Sequence, residues 1–79
     1  MENPELQAVP IKYKLLVGIG VAAALQSRTC TLMWTKLAKQ AGATQAEIAE
    51  AMLVSRLMKM ATVNDTAADA LAWLDEAAD

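Results

Sequence analysis

The chain has 79 residues, of which 56% are hydrophobic, 20% charged and 4% aromatic, with a net charge of −2. That length holds one domain (1–79), near the lower size at which a single core sustains a fold. Its basic residues are scattered, which argues against nucleic acid, and the lack of histidine with a single cysteine excludes a zinc site of the usual kind and an internal disulfide.

Both prolines, Pro4 and Pro10, fall in the first ten residues, so residues 1–10 read as a lead-in, with a short turn expected within Glu2 to Val9. From Ile11 onward the chain is rich in Ala, Leu, Met, Lys and Gln and shows no alternation of β-branched and polar residues. The class is therefore all-α, a small bundle of about four helices. The first is expected over Ile11 to Gln26, with Pro10 at its start. Its run Leu15 to Leu25 is about half the ~20 residues a membrane span requires, and it lacks the polar face of an interfacial anchor. No membrane association is expected. Gly18 and Gly20 weaken this helix, and close contact with neighbouring helices is the expected compensation.

The second helix is expected over Arg28 to Gln40, capped by Ser27 and stopped by Gly42. The third opens on the capping box Thr44-Gln-Ala-Glu47 and runs to Ala61. Its apolar residues Ile48, Ala51, Met52, Val54, Leu57, Met58 and Met60 cover more than half its circumference, enough to face both the first helix and a second subunit. Its methionines read as core or interface filler rather than as a thioether metal site. Thr62 to Asp65 is expected to break the pattern, with Asn64 or Asp65 capping a fourth helix over Thr66 to Ala77. That helix carries Ala67, Ala70, Leu71 and Leu74 on one face, with Trp73 beside it.

The order of features from Lys12 to Leu53 resembles the core of the alkylhydroperoxidase D-like, or carboxymuconolactone decarboxylase, family. The carrying residues are Lys12, the apolar run from Leu16, Cys30, and the stretch AKQAGATQAEIAEAM from Ala38 to Met52, with its Gly42-Ala-Thr phrase. The family pattern places a Glu three residues after the Lys, a Cys-x-x-Cys at the start of the next helix, and a His four residues after the second Cys. Counted back from Gly42, the His position falls on Trp34, the second Cys on Cys30, the first Cys on Ser27 and the Glu on Leu15. The resemblance implies that Cys30 alone remains of the catalytic set, in a degenerate natural member or in a chain whose site was rewritten.

In the family the dithiol reduces a peroxide, or relays electrons, while Glu and His move protons. Ser27 cannot form a disulfide, Leu15 cannot carry a proton and Trp34 can only donate. No Asp or Glu occurs between Glu5 and Glu47 to replace the lost base. A helix start activates a thiol, but Trp34 stands four residues on, where its indole is expected to cover the sulfur and silence it. Cys30 is therefore read as inert, with a reactive single thiol as the alternative and a metal ligand as the least favoured role. No cofactor and no metal are expected.

Two functions follow. The first is a self-associating scaffold, because a domain this apolar leaves hydrophobic surface that only another chain covers. Composition sets no number of copies; the resemblance implies a trimer or a hexamer. The alternative is a thiol peroxidase or reductase that uses Cys30 with an external resolving thiol. No secretory signal is read, so a reducing cytoplasmic setting is expected.

Overall fold

The computed structural model describes residues 3–77. Met1 and Glu2 of the expected lead-in lie outside them, as do Ala78 and Asp79 at the other end of the 1–79 domain. Within the described residues there is one 3-10 turn, Pro4–Leu6, and three α-helices, with no strand. These are α1, Ile11–Ala24; α2, Arg28–Gln40; and α3, Gln45–Ala77.

The helix ends follow short-range chemistry. The Ser27 hydroxyl accepts the Cys30 N–H at 3.3 Å and opens α2. Helix α1 stops two residues earlier than expected, at Ala24, because Gln26 turns left-handed at φ 62°. Two bonds then close the end, from Gln26 N–H to the Ala23 carbonyl and from Ser27 N–H to the Ala22 carbonyl. Gly42, at φ 94°, ends α2 in the same way, with Ala43 N–H bonded to the Ala38 carbonyl. The capping box forms reciprocally: Thr44 N–H donates to Glu47 Oε1 at 2.8 Å, and Glu47 N–H to Thr44 Oγ1 at 3.1 Å.

The expected fourth helix does not exist separately. Residues Thr62 to Asp65 lie inside α3, which runs unbroken for 33 residues. None of the four is Gly or Pro, and each costs less than about 0.7 kcal/mol of helix propensity. A break would leave carbonyls and amides without partners and require a new nucleus, which costs more. Thr62 also satisfies its own hydroxyl inside the helix, donating to the Lys59 carbonyl at 2.7 Å.

Helix α1 is the centre of the bundle, packed on α2 at one side and α3 at the other. The core comprises Leu15 and Ile19 of α1, Ala38 of α2, Ala43 of the loop and Ile48 of α3, with Trp34 and Met52 leaning on it. Glycine allows the close approach expected of it at Gly18, where an added Cβ would lie 2.6 Å from Trp34 Cζ3. The Ser55 hydroxyl, buried, donates to the Gly20 carbonyl at 2.9 Å. Lys12 meets Glu47 in the same register, so α1 and α3 run parallel.

From Arg56 to Ala77 no residue is buried. This half of α3 projects beyond the bundle and gives the chain a longest dimension of 59 Å. The radius of gyration is 17.4 Å, against about 11.6 Å for a compact domain of this length. The accessible surface is 6255 Å², against about 4,600 Å² for a compact monomer of this mass. Apolar side chains exposed along this half include Leu57, Met58, Met60, Val63, Leu71 and Leu74.

Candidate functional site

The site positions lie on α1 and at the start of α2. Leu15 is buried at 4% exposure in the core. Trp34 is half-buried and packs on the same cluster, with its six-membered ring against Gly18. Ser27 is taken up by capping: its hydroxyl accepts from Cys30 N–H, and its carbonyl accepts from the Thr31 hydroxyl at 2.7 Å. The structure thus joins Leu15 to Trp34 in the core and Ser27 to Cys30 at the helix cap.

Cys30 itself is exposed, which corrects the expectation of an indole lid. The four-residue spacing puts Trp34 on a neighbouring part of α2, but the ring turns inward to fill the space left by the missing side chain of Gly18. The thiol stays in the first turn of α2, on the outside.

The acidic groups lie elsewhere. Glu47 Oε2 pairs with Lys12 Nζ at 3.1 Å, while Oε1 holds the Thr44 N–H. The Thr44 amide, then the Lys12 ammonium, hold the Glu47 carboxyl below its ordinary range. The bond to Glu47 in turn raises Lys12 above its ordinary value. Glu47 and Glu50 line an open groove between α1 and α3, about 620 Å³ in volume, whose walls are Val17, Gly20, Val21 and Val54. A second groove, about 610 Å³, runs between α1 and α2 past Ala23, Arg28, Leu32 and Met52. Cys30 lines neither.

Sequence reasoning named Lys12 and Glu47 separately and missed their pairing, which spans the bundle. It also missed Ser55, whose signal was a lone hydroxyl between Val54 and Arg56 in an apolar stretch. Among the described residues no group of three or more His, Cys, Asp or Glu is placed to hold a metal ion. Nor is any helix among the described residues long and apolar enough to cross a membrane.

Three helices around a glycine-lined contact, with a lone thiol at a capped helix start, define a small all-α bundle domain. The chain belongs to the carboxymuconolactone decarboxylase family, whose model matches residues 6–76. The match extends well past the Lys12 to Leu53 stretch that carries the resemblance in sequence, and takes in nearly all of α3. No curated protein and no solved structure matches the chain.

Proposed function

We propose that this chain is a self-associating helical scaffold of its family, without the dithiol peroxidase chemistry. The observation that carries the reading is the accessible surface of 6255 Å², about 1,600 Å² more than a compact monomer of this mass exposes. Exposed apolar side chains lie along α3, among them Leu57, Val63 and Leu74, and on α1 and α2, among them Val17, Val21, Leu32 and Met33. The spacing that places Leu15, Ser27 and Trp34 at the family's Glu, first Cys and His supports the loss of chemistry. Leu15 and Trp34 serve packing and Ser27 serves capping, so each has a structural use. A trimer or a hexamer is the assembly this reading expects. Size-exclusion chromatography with light scattering tests it: a mass of several chains supports the scaffold, and a folded monomer of 8.4 kDa overturns it.

A second reading is favoured by one observation, the exposure of Cys30. In it the Cys30 thiolate attacks a hydroperoxide, the O–O bond breaks, and the products are an alcohol and a Cys30 sulfenic acid. An external thiol condenses with the sulfenic acid to a mixed disulfide and releases water. A second external thiol then restores Cys30 and leaves as the external disulfide. Hydroperoxide consumption in the presence of a small thiol, abolished by Cys30→Ser, would establish this reading; equal consumption by the variant would remove it.

A further inference from the structure

Building on the self-association proposed above, we infer that two copies join through the free halves of α3. The halves lie antiparallel along the stripe Met60, Val63, Ala67, Ala70 and Leu74. Spacings of three and four residues alternate along this stripe, the repeat by which two helices present one continuous seam to each other. Met60, Val63 and Leu74 are each more than half exposed, and the alanines between them permit close approach.

The occupant is a second copy for four reasons. First, the stripe is turned roughly 75° around the helix from the face that Ile48, Met52 and Ser55 present to α1, on a half of α3 where no residue is buried. A continuous helix cannot bring it back onto its own bundle. Second, the seam carries no like-charge conflict. At helical spacing Asp65, Asp69 and Glu76 fall on the opposite face, while the positions flanking the stripe include Asn64, Thr66, Leu71 and Trp73.

Third, charge selects the direction. Beyond Lys59 the described chain holds only acidic charges, whereas Arg56 and Lys59 stand at the root of the free half. Antiparallel pairing brings the tip, with Asp75 and Glu76, beside the partner's basic root; parallel pairing would stack the acidic tips. Centred on Ala67, it also sets Met60 opposite Leu74 and Val63 opposite Leu71. Fourth, the area suffices: a stable interface needs about 800 Å² per partner, well within the excess the chain exposes. The pairing is two-fold, so it belongs to an even-numbered assembly, a dimer or the hexamer rather than a lone trimer.

The test uses the full chain carrying Cys30→Ser, so that one introduced thiol reports. Ala67→Cys, at the two-fold, is compared with Asp69→Cys on the outer face under mild oxidation, read on non-reducing gels. The unmodified chain is weighed by light scattering. The expected result is an even number of chains, with interchain disulfide forming about tenfold or more faster at position 67 because the pair is held together. An assembly that cross-links no faster at 67 than at 69, or an odd number of chains, overturns the arm pairing and leaves self-association standing. A monomer overturns both.

Discussion

The ring of Trp34 occupies the place where Gly18 would carry a side chain, so that an added Cβ would lie 2.6 Å from Cζ3 and overlap the adjacent ring carbon Cε3. This contact fixes the separation of α1 and α2. Gly18→Ala gains about 1 kcal/mol of helix propensity and loses more, because a rigid indole half-buried against the core must move; overpacking of this kind costs about 1–3 kcal/mol. A fall in urea midpoint is expected. Gly20→Ala is the control: its Cβ would meet only the Ala51 carbonyl oxygen, at an ordinary 3.6 Å, so that variant should hold or gain stability.

Ser55 ties α3 to α1 through the Gly20 carbonyl in a partly buried hydrogen bond. The variant Ser55→Ala removes the donor and keeps the volume nearly constant. The expected loss is about 1 kcal/mol, the net worth of one such bond, read from urea unfolding. Ser55→Val should lose more, because the added methyl crowds the narrow contact at Gly20.

The Lys12–Glu47 pair predicts a pH dependence with a definite sign. Glu47 is lowered in the folded chain, so its contribution is present above the unfolded carboxylate value, near 4.5, and is lost as pH falls through the lower folded value. Lys12 is raised, so its contribution is complete below about 10.5 and fades only as pH climbs past that. The pair is therefore fully engaged across the neutral range. Glu47→Gln keeps an acceptor for the Thr44 amide and drops the charge. Its urea midpoint should fall less than that of the unaltered chain between pH 5 and pH 3. Equal slopes would show that the pair contributes nothing.

What was legible in the sequence is what short-range chemistry decides. Ser27, Gly42 and the Thr44–Glu47 box mark helix ends through groups at most a few residues apart, and the structure places them there. The stretch Thr62 to Asp65 misleads because weak helix formers resemble a boundary, while the decision belongs to the cooperativity of a helix that has no breaker within it. At the candidate site, the positions of Leu15, Ser27, Cys30 and Trp34 along the chain are legible from spacing. The direction in which Trp34 turns is not, since it depends on Gly18 across the bundle. The contacts of Lys12 with Glu47 and of Ser55 with Gly20 share one offset along the chain, a relation visible only once α1 and α3 are known to be parallel.

Exposure of Cys30 yields the prediction that bears most directly on function. A thiol on the outside of a capped first turn, with Trp34 turned inward, should react with a bulky maleimide in the native chain without denaturant. Its rate should fall within about tenfold of the same thiol in unfolded chain, because access rather than unfolding limits it. Trp34→Ala opens the core beside Gly18 but removes no cover from the sulfur. It should therefore destabilise the chain by about 3 kcal/mol or more and leave the native labelling rate unchanged, as measured by stopped labelling and intact mass. A sharp rise in labelling in Trp34→Ala under conditions where the variant is still folded would mean that the indole shields the thiol after all, and would return Cys30 to the inert role its sequence context suggests.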